Sequence, residues 1–189
     1  DVRRLVQIFE KLAALVSEGQ FNFEIVDLRG LVEECLAGIG ARSGAEATDG
    51  ARLLHATDEA SGKRVSVSVY HETGPFPVKA DPVQLKKAIA YLVWYLMRKT
   101  PGDDAKLSIS IDHKAGEDTI RLILASRTAE VSVEELQRIF DPMKVVQESL
   151  IDVGPCVSQR IIEAQGGKLE ARQGRGETSF VTTLPVAPV

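Results

Sequence analysis

The stretch "LILASRTAEVSVEELQRIFDPM", Leu122 to Met143, reads as a buried strand running into a capped helix. Loops held by such scaffolds carry a disproportionate share of binding residues. The turn between them, "SRTAEV", offers hydroxyls at Ser126 and Thr128 and a carboxylate at Glu130. It has no glycine to let a ligand approach the backbone closely. A second group is aromatic: Tyr91, Trp94 and Tyr95 fall within five residues of one helical stretch. Such rings are enriched at protein interfaces; the alternative is that they plug a pocket as core. His55, His71 and His113 are scattered and read as solvent-facing. Cys35 and Cys156 read as buried thiols of a reducing compartment, not as a disulfide or metal site.

Composition narrows the classes. The 189 residues suit one or two small domains, and the 44% hydrophobic and 26% charged fractions are those of a soluble globular chain. With 23 basic and 27 acidic residues the net charge is -4, which argues against a nucleic-acid surface. No apolar run approaches the roughly 18 residues of a membrane span, so a cytoplasmic location is expected. The chain opens inside a helical pattern, which suggests a fragment of a longer and even membrane-anchored protein.

Periodicity supplies the elements that hold these groups. Val2, Leu5, Phe9, Leu12 and Val16 recur every three or four residues, giving one apolar helix face that needs a partner. Asp27 is placed to cap a helix carrying Leu28, Leu31, Val32, Cys35, Leu36 and Ile39. Residues 43–50 are loop-like in composition. "RVSVSVYHE" alternates as a half-buried strand. "DPVQLKKAIAYLVWYLMRKTPG" is the strongest helix: Asp81 caps it, Pro82 suits its first position, and Gln84 completes a capping box. Its core face is expected to hold Val83, Leu85, Ile89, Leu92, Val93 and Leu96. A hairpin, a helix capped by Ser132 with Glu135, a helix from "VGPC" and a closing hairpin follow. The order predicts an α+β fold, a two-layer α/β sandwich.

Along residues 21–187 these blocks resemble the ATP-binding domain of sensor histidine kinases, the GHKL or Bergerat fold. The long helix is similar to that family's N-box helix, "RIFDPM" to its F-box, and "RIIEAQGGKLEA" with "GRGETSFVTTLP" to the elements after its second glycine box. "FEKLAALVSEGQFNFEIVDLRGLVEE" resembles the junction between the second helix of a dimerisation hairpin and the kinase domain. The resemblance implies two parts: residues 1–20, the end of a dimerisation helix and linker, and residues 21–189, the ATPase-type domain. It also implies ATP and magnesium, but with their binding positions replaced. Tyr91 and Tyr95 stand at the asparagines, Tyr95 at the one that holds magnesium. Ser126, Thr128 and Glu130 stand where an aspartate and two glycines serve adenine. Asp152, Val153, Gly154 and Pro155 stand at the second glycine box, and Arg98 and Thr178 fall in the same pocket. Pro155 has no amide to donate to phosphate, and Asp152 repels it. No histidine lies on the N-terminal helix, where the family carries its phosphoacceptor.

The expectation is therefore a degenerate, pseudokinase-like domain with no catalytic residue, metal or cofactor of its own. It would act through a response regulator receiver domain or another kinase. Leu5, Phe9, Leu12 and Val16 would form a homodimer or partner face. The competing expectations are a divergent active kinase or ATPase, and a histidine phosphotransferase whose acceptor lies upstream.

Overall fold

The structure is a computed structural model that describes residues 21–46, 51–58, 61–71, 74–147 and 152–188. The helix expected over residues 1–20, with Leu5, Phe9, Leu12 and Val16, lies outside the described residues.

The described chain runs β1 (Glu24–Asp27), α1 (Leu28–Gly38), β2 (Arg42–Glu46), β3 (Arg52–Thr57), β4 (Arg64–His71) and β5 (Pro77–Ala80). It continues through α2 (Pro82–Lys99), β6 (Asp104–Asp112), β7 (Thr119–Ser126), α3 (Val133–Arg138), α4 (Pro142–Gln147), α5 (Gly154–Ala164), β8 (Lys168–Gly174) and β9 (Glu177–Pro185). Seven strands form one sheet in the order β2-β3-β4-β6-β7-β9-β8. Among these pairs β4 and β6 are parallel, with the β5–α2 connection supplying the crossover that a parallel pair needs; the other pairs are antiparallel. β1 and β5 form a separate antiparallel pair, joined to the chain end by a bridge from Val78 to Val186.

The pleat sorts the side chains. Val65, Val67 and Val69 alternate inward on β4, as do Leu107, Ile109 and Ile111 on β6 and Leu122 and Leu124 on β7. They share one core with Leu31, Val32 and Leu36 of α1, Leu85, Ile89, Leu92 and Leu96 of α2, and Ile161 and Ile162 of α5. A sheet covered on one face by helices is the two-layer α+β sandwich that the sequence predicts. Gly40, at φ +82, turns the chain out of α1 in a backbone conformation that suits glycine.

Four local expectations are corrected. Residues 42–46 form an edge strand rather than a loop, because their backbone pairs with β3 (Arg42 with His55, Glu46 with Arg52) whatever their composition. Asp27 precedes α1 but does not cap it; its Oδ1 accepts from the Phe76 amide at 3.0 Å. Val83 is 55% exposed, since it lies on the side of the first turn of α2 away from the sheet. Asp81 does accept from the Gln84 amide at 3.0 Å. The reciprocal bond, however, comes from elsewhere: the Asp81 amide donates to Gln165 Oε1 at 2.7 Å, and Asp81 Oδ2 accepts from the Asn22 amide at 2.9 Å. Asp81 thus ties the chain entry, the start of α2 and the end of α5 into one buried knot.

Gln165→Ala leaves the buried Asp81 amide without its acceptor, so it should lower stability by about 1–3 kcal/mol. Urea unfolding would show a lower midpoint with an unchanged slope.

Candidate functional site

The central helix presents two stripes to the site. On the first, Tyr95 and Lys99 are four residues apart and so neighbours on one face. Tyr95 is 2% exposed. Its ring meets Phe180 of β9 edge-on, with centroids 5.7 Å apart. Its hydroxyl donates to Glu135 Oε1 at 2.7 Å. Lys99 Nζ sits 2.6 Å from the same oxygen and 5.7 Å from the Tyr95 ring centroid. Burial first, then the Glu135 carboxylate that the hydroxyl bonds, push the phenol's pKa far above its ordinary value. Glu135 was expected to complete the Ser132 capping box. Ser132 does accept from the Glu135 amide at 3.0 Å, but the Glu135 carboxylate faces Tyr95 and Lys99 instead.

The turn after β7 is closed by its own hydroxyls. Ser126 is buried. Its Oγ donates to the Lys106 carbonyl at 3.1 Å and accepts from the amides of Thr128 at 3.2 Å and Ala129 at 3.0 Å. A hydroxyl has one hydrogen and two lone pairs, so these contacts use its capacity. Thr128 Oγ1 accepts from the Lys106 amide at 3.1 Å and lies 3.2 Å from Thr100 Oγ1. Lys63 Nζ donates to the carbonyls of Met97, at 3.0 Å, and Thr100, so it caps the end of α2. Glu130 is exposed, and its amide donates to the Lys99 carbonyl at 2.9 Å. Thr178 is buried on β9, opposite Ser126 in the register. Between this turn and the β8–β9 hairpin lies an open cleft of about 590 Å³, lined by Glu130, Val131, Glu135, Glu177 and Thr178 among others.

The second stripe of α2 faces the start of α5. Arg98 Nε donates to Asp152 Oδ2 at 2.8 Å, and its Nη2 donates to the same oxygen. Asp152 Oδ1 accepts from the Gly154 amide at 3.0 Å. A Cβ on Gly154 would meet Asp152 Oδ1 at 2.9 Å and Tyr91 Cβ at 3.3 Å, so glycine is what lets α5 begin here. Pro155 is buried in the first turn of α5. Tyr91 is half-buried and packs edge-on to Trp94, with centroids 6.1 Å apart; Trp94 is 38% exposed. Of the three aromatics, then, only Tyr95 belongs to the core.

The expected site residues therefore assemble at two neighbouring places. Ser126, Thr128, Glu130 and Thr178 gather with Tyr95 at the β7 turn; Arg98, Asp152, Gly154 and Pro155 gather with Tyr91 at the head of α5. Sequence reading missed Lys63, Lys99, Phe180 and the role of Glu135; the one signal within reach was the i,i+4 spacing of Tyr95 and Lys99. The histidines stand apart from both places. His55 and His71 are exposed, whereas His113 is half-buried, its Nδ1 3.1 Å from the Thr119 carbonyl across the hairpin. Both thiols are buried, and burial pushes Cys35 up to about 11 and Cys156 up to about 12. Among the described residues no helix is long and apolar enough to cross a membrane.

No protein-family model matches the chain. Over 98% of its length it is 21% identical to the sensor histidine kinase ZraS of Klebsiella oxytoca. Over 97% it is 23% identical to the sensor protein FixL of Bradyrhizobium diazoefficiens. It spans about a third of each, 36% and 33% of their lengths. The solved structure of the Acinetobacter baumannii histidine kinase AdeS superposes with a TM-score of 0.66 at 16% identity, covering 98% of this chain and 79% of that one. The chain has the fold of a sensor histidine kinase catalytic domain, the GHKL ATPase sandwich.

Because the folded state keeps the Tyr95 proton where an unfolded phenol loses it, the contribution of Tyr95 to stability is complete below about pH 10 and falls above it. Urea midpoints measured between about pH 8 and 11 should fall with pH more steeply in wild type than in Tyr95→Phe. At neutral pH that variant should be about 1 kcal/mol less stable, since the Glu135 carboxylate loses the Tyr95 donor and keeps Lys99.

Proposed function

We propose that this chain is a signalling domain of the histidine-kinase type that has lost ordinary magnesium–ATP binding and works by contacting other proteins in two-component signal transduction. Fold alone does not carry function, so the reading rests on the site.

The observation that carries it is Tyr95. It stands at the position where the resembling family holds its metal with an asparagine. Its ring is packed against Phe180, and its hydroxyl is committed to Glu135. Magnesium wants carboxylate, amide or water oxygens in an octahedron, and a buried protonated phenol does not fit. The neighbouring groups support the same reading. Ser126 is engaged by its own turn. The cleft beside it is lined by Glu130, whose charge disfavours a polyphosphate, and by Glu135 and Glu177, which already pair with Lys99 and Arg127. These residues do not fit magnesium–ATP.

On this reading the useful surfaces are those that remain exposed. Trp94 stands out from α2 as an aromatic anchor of the kind that dominates interfaces. A receiver domain or a second kinase is the partner proposed. The face of Leu5, Phe9, Leu12 and Val16 is proposed as the homodimer surface, and the domain as working in the cytoplasm, alone or as part of a longer anchored protein.

Calorimetric titration of the chain with ATP and magnesium should show no binding tighter than about 1 mM, a free energy of roughly -4 kcal/mol. Saturable binding at micromolar concentration would overturn the proposal and restore the active-kinase reading.

A further inference from the structure

The two edges of the seven-stranded sheet are built differently. On one side stands β2, five residues long, whose register with β3 shifts between Ser43 and Glu46. A short, irregular edge guards against pairing with another chain. On the other side stands β8, seven residues paired with β9 without a shift. It holds no proline, so its outer side is a regular row of backbone donors and acceptors.

The turn after β8 fixes which groups face that edge. Gly174 pairs with Glu177 across two residues, Arg175 at φ +54 and Gly176 at φ +73. Two left-handed central residues make a type I′ hairpin, whose flanking residues exchange the closing hydrogen bonds. Ladder bonds then alternate along the pair. Lys168, Glu170, Arg172 and Gly174 therefore turn their amides and carbonyls to β9, whereas Leu169, Ala171 and Gln173 turn theirs outward. Side chains alternate too. Leu169 lies in the core beneath the helices. Lys168, Glu170 and Arg172 share the opposite face, with Lys168 Nζ 3.0 Å and Arg172 Nη2 2.9 Å from the Glu170 carboxylate.

Charges on an edge ordinarily deter pairing. Here their order makes one partner an exception. Two β8 strands meeting antiparallel about a two-fold axis must centre on a residue, so that opposed side chains point to the same face. Three such registers overlap most of the strand. Centred on Glu170, the pairing opposes two carboxylates and sets Lys168 against Arg172. Centred on Arg172, it opposes two guanidiniums. Centred on Ala171, it sets Glu170 against Arg172 twice and Lys168 against Gly174. That register also matches the outward amides and carbonyls of Leu169, Ala171 and Gln173 with their counterparts. Opposite charges directly across a strand pair stabilise it, and like charges destabilise it.

We propose that β8 is a docking edge for a second copy of this chain: two β8 strands pair antiparallel about Ala171 and join two sheets into one. This contact goes beyond the proposed function and depends neither on the nucleotide site nor on residues 1–20. Each copy uses the same strand, so the contact is isologous and closes at two copies.

Backbone hydrogen exchange, read residue by residue by NMR on the whole chain, tests it. Between about 50 μM and about 1 mM chain, the amides of Leu169, Ala171 and Gln173 should slow by about threefold or more. Those of Glu170 and Arg172, already bonded to β9, should not change. Self-association through any other surface would not produce this alternation. Glu170→Arg alone and Arg172→Glu alone should each lose the concentration dependence, because like charges then face each other. An equimolar mixture of the two variants should regain it, since every charge at the two positions then faces its opposite. Exchange at the three outward amides that ignores concentration in wild type overturns the proposal. So does dependence that survives in either variant alone, or a mixture that fails to recover it.

Discussion

Helix α5 lies antiparallel on α2 along one stripe, and most of the rest of the domain depends on that seam. Gln165 meets Asp81, Ser158 Oγ donates to the Ala88 carbonyl at 2.8 Å, and Gly154 abuts Tyr91. Asp152 then meets Arg98 just before α5 begins. Each contact uses a small or polar residue, so the backbones approach closely and their polar groups are paired rather than merely buried. The seam holds α5 against the sheet, sets where β8 can begin, and fixes the angle at which α2 offers its other stripe to β9. Gly167 continues the constraint beyond α5, since a Cβ there would meet Leu184 Cδ2 at 2.7 Å and the Thr183 carbonyl at 2.8 Å.

With α2 held in this way, Tyr95 has one place to go. Its ring must lie over Phe180, and its hydroxyl must find a partner or bear the cost of a buried unpaired group. Glu135 supplies the partner from α3, and Lys99 balances the Glu135 charge. The three side chains meet at one atom, Glu135 Oε1, which takes both the Tyr95 hydroxyl and Lys99 Nζ, an arrangement that specifies one geometry. The same logic governs the β7 turn, where Ser126 takes the two amides that follow it.

The sequence made the elements legible wherever periodicity or capping chemistry is strong. The alternating valines of β4 and, Val83 apart, the apolar stripe of α2 with Asp81 and Pro82 at its head stand as expected; over the described residues the order of helices and hairpins does too, except for α4, which the sequence did not suggest. What escaped is what depends on distant partners. Composition marked 43–50 as loop, but pairing with β3 makes 42–46 a strand. Gln84 and Glu135 looked like the return halves of capping boxes. The Asp81 amide is instead satisfied from 84 residues away by Gln165, and the Glu135 carboxylate is drawn 40 residues back in the chain to Tyr95. Asp152 looked only repulsive to anions; that it fits the neighbouring helix start emerges once Arg98 is brought beside it.

These particulars bear on the proposal that the site no longer takes magnesium–ATP. In a ligand site, some polar groups are left for the ligand to satisfy, and removing the ligand chemistry threatens to leave them unpaired. Here the chain's own groups take each role. Asp152 answers the α5 amide and Arg98; Ser126 answers the amides of the β7 turn; Glu135 answers Tyr95 and Lys99. Among the described residues, the one buried side-chain atom without a hydrogen-bond partner is Arg121 Nε, toward the other end of β7 from Ser126. Buried polar atoms that are answered from within the chain need no ligand to be stable. Tyr95 is the example: its ring is held by Phe180 and its hydroxyl by Glu135, both from within the chain.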